Sequence, residues 1–493
     1  MQTFLIGLVI LFVGAGVYGT ICEKVIKPDD RKTPAYTKTD GVDFVPMKTW
    51  RNSLINLLNI AGTGPILGPI MGILFGPIAF IIIPIGNILG GALHDYFSGM
   101  ISLRNGGMQM PALVEKFTNK AVYNVYNVFI CLLMLLVGAV FIYVPGDIMA
   151  TQVLGWSGRA NDPLTWVVYG GIFVYYTAAT LFPIDKLIGR IYPIFGAILL
   201  FSAVGVFAGL FLKDYQLANL TGSLQDNLSR PLPNGGREPL LPFFFVTVAC
   251  GIVSGFHSTQ TAIISRNVTN ERQGRLTFYN MMVLEGFIAM IWAAAAMGIR
   301  AKGSTAGAVG IIGEVCRDML GTWGGLLAIL GVIVLPITSG DTACRSLRLM
   351  LSEFLKIDQK PAKNRVTISL FIFAAVAAIL YVAKSDPQGF DILWRYFAWS
   401  NQTLAVFAFG VITIYLLGKG HTLAPFMSLI PGAWYMFIIT AYICNVPIGF
   451  NLPYNIAMWI GVGLAVIYSV AVWKKGVSMR EGKVAVEVVP VYS

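Results

Sequence analysis

The sequence predicts an all-α integral membrane protein of about thirteen transmembrane helices, and three observations carry that expectation. Of its 493 residues, 56% are hydrophobic and 12% charged, where a soluble domain carries about 25% charge. The apolar residues come in runs of about 20 rather than alternating, the length a helix needs to cross a bilayer. Two of those runs are interrupted at corresponding places in two groups of five segments that would cross in opposite senses. Paired interruptions of this kind are the best sequence pointer to a transporter site.

The apolar segments fall at 3–21, 52–75, 77–102, 122–152, 164–182, 187–212, 242–265, 278–299, 324–350, 365–383, 389–417, 424–443 and 453–473. The first has no basic residue before it and no clear small-residue cleavage site, so it reads as a retained helix rather than a signal peptide. Orientation follows from Lys and Arg. The stretch from Cys22 to Arg51 holds seven of them and that from Arg345 to Arg365 holds six. Basic loops stay inside, which puts the N-terminus outside and the tail in the cytoplasm. The formal charge of +11 therefore reports topology and implies no nucleic acid. The chain divides into an N-terminal helix and basic loop (1–51), a first group of five helices (52–212), an external loop (213–241), a second, inverted group (242–417), and two C-terminal helices with a tail (418–493).

The second segment, "NIAGTGPILGPIMGILFGP", carries Gly62, Thr63, Gly64 and Pro65 in an otherwise oily run. Unwinding there frees backbone N–H and C=O groups that lipid cannot satisfy, so they face protein or a polar cavity and can hold substrate. Gly68, Gly72 and Gly76, at intervals of four, read instead as close helix packing. The opening helix of the second group, "VACGIVSGFHSTQTAIISR", has Gly251, Ser254, Gly255 and His257 in the corresponding place. An imidazole there suits a substrate carboxylate, and Ser258 and Thr259 add hydroxyls. The alternative is a His satisfied by ordinary hydrogen bonds.

Ionisable groups inside a membrane are functional hypotheses by default, because insertion costs about 2.5–3.5 kcal/mol each at helix centre. Glu285 lies some seven residues into its helix, roughly 10 Å deep at about 1.5 Å per residue; it is either a proton carrier or a structural carboxyl. His94 and Asp95 form a second proton-coupling candidate. Adjacent on a helix, they diverge by about 100° and need not touch; the rival role is an inner-end pair holding a loop or Arg104. Thr338, Ser339 and Asp341 offer oxygens to a hard monovalent cation, although Asp341 is expected to pair with Arg345 four residues on. Asn401 and Gln402, in "WSNQTLA", either bind substrate or tie helices together. Asp147 reads as interfacial.

The six cysteines form no CxxC pair and imply neither disulfides nor a metal site. No P-loop, nucleophile elbow or HExxH is present, so nothing would cradle ATP phosphates and no enzyme or cofactor is expected.

The stretches "NIAGTGPILGPIMG", "GNILGGALHDYFSGMISLRNGG", "ACGIVSGFHS", "MMVLEGFIAMIWA", "TSGDTACRSLRLMLSEF" and "RYFAWSNQTLA" resemble the carbon starvation (CstA) family of membrane transporters across residues 59 to about 405. The chain is a short form beside many members. The resemblance implies uptake of peptides or pyruvate across the inner membrane and a LeuT-like fold, the leucine-transporter type of five-plus-five inverted repeat. In such folds a sodium site lies between the eighth core helix, here carrying Thr338 and Ser339, and the first break. The expectation is a proton-coupled secondary transporter of pyruvate or small peptides working by alternating access. Sodium-coupled symport of a small carboxylate or amino acid is the alternative, and a membrane substrate sensor the alternative from another class.

Overall fold

Helices form wherever the apolar runs predict them, and they break where the backbone has least reason to continue. The computed structural model describes residues 1–41, 43–181, 185–222, 227–232, 235–358, 361–482 and 486–487, with the side chains of 180, 181, 185–193, 195, 338, 353 and 354 outside that description. The principal helices are α1 (Gln2–Ile26), α2 (Thr49–Ile60), α3 (Gly64–Gly72), α4 (Ala79–Arg104), α5 (Lys120–Val153), α6 (Pro163–Leu181) and α7 (Asp185–Leu212). They continue as α8 (Leu240–Thr247), α9 (Gly255–Ser265), α10 (Glu271–Ala301), α11 (Ala308–Phe354), α12 (Ala362–Ser385), α13 (Gly389–Gly418), α14 (Phe426–Asn445) and α15 (Tyr454–Glu481).

Among the described residues nine helices are long and apolar enough to cross a membrane, or ten if the bent pair α2–α3 is one span. The thirteen crossings expected would need in addition α6 and α7, which run over side chains outside that description, and α8 with α9, which at 8 and 11 residues are each too short to span alone. The chain is nonetheless a multi-pass membrane protein. Its outer helices turn large apolar side chains to the surroundings, with Val13 62%, Phe371 74% and Trp459 74% exposed, while Trp292 and Trp394 are enclosed in the middle.

Four boundaries differ from the sequence reading. α11 begins at Ala308, not near 324, and turns sharply at Gly321 (φ 70°, ψ −171°). The loop 213–241 contains a two-stranded antiparallel ribbon, β1 (Ser229–Pro231) with β2 (Arg237–Pro239), in which Arg230 faces Glu238. Two short helices, Pro34–Thr37 and Met110–Phe117, lie outside the expected segments. Finally, α15 carries on to Glu481, into what read as tail.

Each face of the bundle is closed by charge. On the face bearing the ribbon, Glu238 accepts from Arg230 Nε at 2.6 Å and from both Nη atoms of Arg395, on α13, at 2.8 Å. Arg230 also lies 5.2 Å above the ring of Phe75, at the end of the turn that follows α3. On the opposite face Arg104, ending α4, donates to Glu271 at 3.0 and 2.8 Å. Glu487, in the segment after α15, accepts from Arg31 at 2.8 Å and Tyr415 at 2.7 Å and pairs with Lys419 at 2.7 Å. Arg104 adds a longer contact to it at 3.4 Å.

Candidate functional site

Ala61, Gly62 and Thr63 separate α2 from α3, whose axes differ by 47°. Pro65 stands in the first turn of α3, where its fixed φ suits a helix start and its missing N–H costs nothing. The second break runs from Val248 to Ser254. It turns at Gly251, whose φ of 89° is open to glycine and strained for other residues. Gly64 lies so close to this second break that a Cβ on it would stand 2.3 Å from Cys250 Sγ.

The two breaks therefore meet, and a cavity of about 20 Å³ lies between them. It is lined by Asn59, Ile60, Gly62 and Gly64 from the first side and by Cys250, Ser254, Phe256 and His257 from the second. Val137, Phe141, Ser339, Phe397 and Asn401 complete the wall. That volume has room for about one water molecule, so anything larger enters only after the helices part.

Beside the cavity runs a chain of buried ionisable groups. His94 Nδ1 lies 2.8 Å from Asp95 Oδ1, and the other Asp95 oxygen lies 3.0 Å from His257 Nδ1. His257 turns its second nitrogen to Glu285 Oε2 at 3.7 Å. Glu285 Oε1 in turn accepts the backbone N–H of Gly251 at 3.2 Å. All four side chains are at most 1% exposed. They come from α4, α9 and α10, so a tertiary approach of three helices, not one helix face, assembles them. His94 and Asp95 do touch, although neighbours on a helix need not. Arg104 is not their partner, since it is occupied by Glu271.

Asn87 holds the same peptide from the other side. It opens the π-helical turn Asn87–Ala92 within α4, and its Nδ2 donates to Gly251 O and to Met282 O, each at 2.9 Å. The Gly251 residue is thus gripped at its N–H by a carboxylate and at its C=O by an amide. Asn87 was missed in the sequence, although a lone amide in an apolar run was the available signal.

The remaining expected ligands divide. Asn401 Oδ1 accepts from Phe256 N at 2.8 Å and Ser254 Oγ at 3.1 Å, so it supplies α9 with the acceptor that a capping side chain normally gives from within its own chain segment. Gln402 donates to Phe245 O. Gly255 packs against the backbone of α13, where a Cβ would fall 2.3 Å from Asn401 O. Ser258 and Thr259 bond back to Gly255 O and Phe256 O at 2.6 and 2.7 Å, which spends their hydrogens within α9. Thr63 Oγ1 is buried and without a hydrogen-bond partner among the described residues. Ser339 reaches the cavity, Asp341 stands 3.5 Å from Arg345, and the Thr338 side chain lies outside the described residues. Asp147 pairs with Lys384 and accepts from Tyr169 at 3.2 Å. Among the described residues no group of three or more His, Cys, Asp or Glu side chains is placed to hold a metal ion.

Interrupted helices around an enclosed site, with ionisable side chains buried beside it, are features of membrane transport proteins. A solved structure of the same general fold is a manganese transporter from Eremococcus coleocola, which superposes with a TM-score of 0.56 over 88% of this chain and 94% of that one, at 9% identity. This chain belongs to the carbon starvation protein CstA family, whose sequence model matches residues 1–160, 156–305 and 293–442. A Haemophilus influenzae relative called an uncharacterized membrane protein is 41% identical over 59% of this chain and 89% of its own. A peptide transporter CstA of Helicobacter pylori is 26% identical over 86% of this chain and 78% of its own. The peptide transporter CstA of Escherichia coli is 23% identical over 89% and 79% respectively.

Proposed function

We propose that the protein is a proton-coupled secondary transporter that imports small peptides or pyruvate across the cytoplasmic membrane by alternating access. The observation that carries this reading is the buried series His94–Asp95–His257–Glu285, which ends on the Gly251 peptide at the break lining the cavity. Two carboxyls and two imidazoles within hydrogen-bonding or near-contact distance exchange protons as one unit, and their protonation states belong to the group. A proton added to the series weakens the hold of Glu285 on Gly251 and so alters the shape of the break. Loading with a proton and loading with substrate are coupled by that shared peptide.

In this reading the chain has two inverted groups of five helices, its N-terminus outside and its tail in the cytoplasm, and one bundle rocks against the rest. The peptide names borne by several relatives favour peptide over pyruvate. Either substrate has a carboxylate, for which His257 and the backbone amides of Gly62–Gly64 are the anchors. Sodium coupling is the second reading, favoured by Ser339, which stands at the cavity beside Gly62 and Gly64.

The test is uptake of a labelled dipeptide, and separately of labelled pyruvate, into proteoliposomes with an imposed proton or sodium gradient. Concentrative uptake driven by protons is expected. Uptake that needs sodium transfers the coupling to Ser339. Correctly folded protein that concentrates neither substrate under either gradient overturns the assignment and puts a substrate sensor first.

A further inference from the structure

The transport site leaves one sequence feature unused, the six basic residues between Arg345 and Arg365. Arg345 is accounted for by Asp341 and by Ala179 O at 3.4 Å. Arg348 is not. It is 6% exposed, and its Nε and Nη1 have no hydrogen-bond partner among the described residues. Arg365, at the start of α12, likewise has a buried Nε without one. Arg345 and Arg365 stand near enough for their charges to oppose that of Arg348, and Asp341 lies among them with the opposite charge. Positive charge and unused donors are thus concentrated between two helices. A guanidinium in such surroundings demands an anionic, many-oxygened acceptor.

Alongside lies a groove of about 470 Å³ between α5, α11 and α12. Leu132, Leu135, Leu347, Leu351, Ile368 and Phe371 are its principal walls. Leu347 is next in sequence to Arg348, and Ile368 is one helical turn beyond Arg365. The groove therefore starts at the level of the arginines. It opens sideways, since Leu355 and Phe371 are 56% and 74% exposed on the outer surface of the bundle, and its lining is almost wholly apolar.

We propose that this is a binding site for an anionic phospholipid, with the phosphate at Arg348 and Arg365 and an acyl chain in the groove between α5, α11 and α12. Basic pockets between membrane helices bind anionic headgroups in this way. The two halves of the site demand two chemistries, charge at one end and hydrocarbon along the rest, and only an amphiphile has both. The proposal stands apart from the identity of the transported substrate.

The experiment is native mass spectrometry of the delipidated full-length protein, titrated with phosphatidylglycerol or phosphatidylcholine of matched chains, with inorganic phosphate as the soluble control. Phosphatidylglycerol is expected to be held roughly twenty-five-fold more tightly than phosphatidylcholine, from about fivefold per arginine. Arg365→Gln should reduce that preference about fivefold, and Arg348→Gln should lower it similarly. Ala375→Trp, which fills the groove, should weaken both lipids while leaving Arg348 and Arg365 in place. Equal retention of the two lipids by the unaltered protein overturns the proposal. So does competition by inorganic phosphate at concentrations equal to lipid, which would mark a simple anion site. If Arg348→Gln does not fold, the Arg365→Gln and Ala375→Trp results decide the matter.

Discussion

At the scale of single residues, Gly251 is held by two side chains of different character. Glu285 holds its N–H and can change charge; Asn87 holds its C=O and cannot. Replacing Glu285 by Gln keeps a similar shape and removes the titratable group. Concentrative uptake should then be lost while exchange of substrate across an equilibrated membrane persists, as measured by counterflow in proteoliposomes. Loss of both would make Glu285 structural. Asn87→Ala removes two buried hydrogen bonds at once and should cost about 1–3 kcal/mol, visible as a lower melting temperature in detergent. An unchanged melting temperature would mean that Gly251 finds other partners. The individual members of this cluster were legible in the sequence, because a charged or imidazole side chain in an apolar run calls for an explanation. Their convergence was not. His94, His257 and Glu285 lie on three helices, and nothing in the spacing of one helix reports the approach of another. The hydroxyls of Ser258 and Thr259 are bonded locally for a related reason. Early in a helix they have their own backbone carbonyls within reach, so polarity at a break is not the same as availability to a ligand.

At the scale of elements, the breaks were the most legible feature, since Gly–Thr–Gly–Pro and the glycines around Ser254 disfavour a continuous helix wherever they fall. The ribbon β1–β2 and the first part of α11 were hidden, because three-residue strands and short helices carry little hydrophobic signal. The segment after α15 also read as mere tail, yet Glu487 docks against three other parts of the chain. Burial alone would raise its carboxyl, but hydrogen bonds from Lys419, Arg31 and Tyr415 and the charge of Arg104 hold it down to about 2, from an ordinary 4.5. Folding therefore favours the ionised form. The stabilisation is complete above pH 4.5 and is lost as pH falls toward 2. The stability difference between the unaltered protein and Glu487→Gln should be greatest near neutrality and shrink as the medium is acidified below that window's upper edge. Parallel pH–stability curves for the two proteins would show that Glu487 contributes nothing by its charge.

At the scale of the whole molecule, ion pairs close both faces while the space between the breaks holds little more than a water. In the proposed transport cycle one closure opens at a time. Glu238 is an acceptor shared by Arg230 and Arg395, and all three are largely buried. Glu238→Gln should leave two guanidiniums underpaired and cost about 3 kcal/mol of stability, the lower end of what breaking a buried pair costs. It should also make this face open more readily, detected as faster labelling of a cysteine placed on the ribbon. No change in either measurement would show that the ribbon is not a closure.

Cys250, which lines the cavity and is crowded by Gly64, gives the molecule its own means of timing that opening. With the space as narrow as it is, a maleimide reaches this sulfur only during excursions in which α3 and α8 separate. Its alkylation rate is then a clock for how often the interior is visited from water. A transported solute that occupies the same space would slow the clock in proportion to its occupancy, which allows unlabelled compounds to be ranked by protection of one native thiol before any of them has been followed across a membrane.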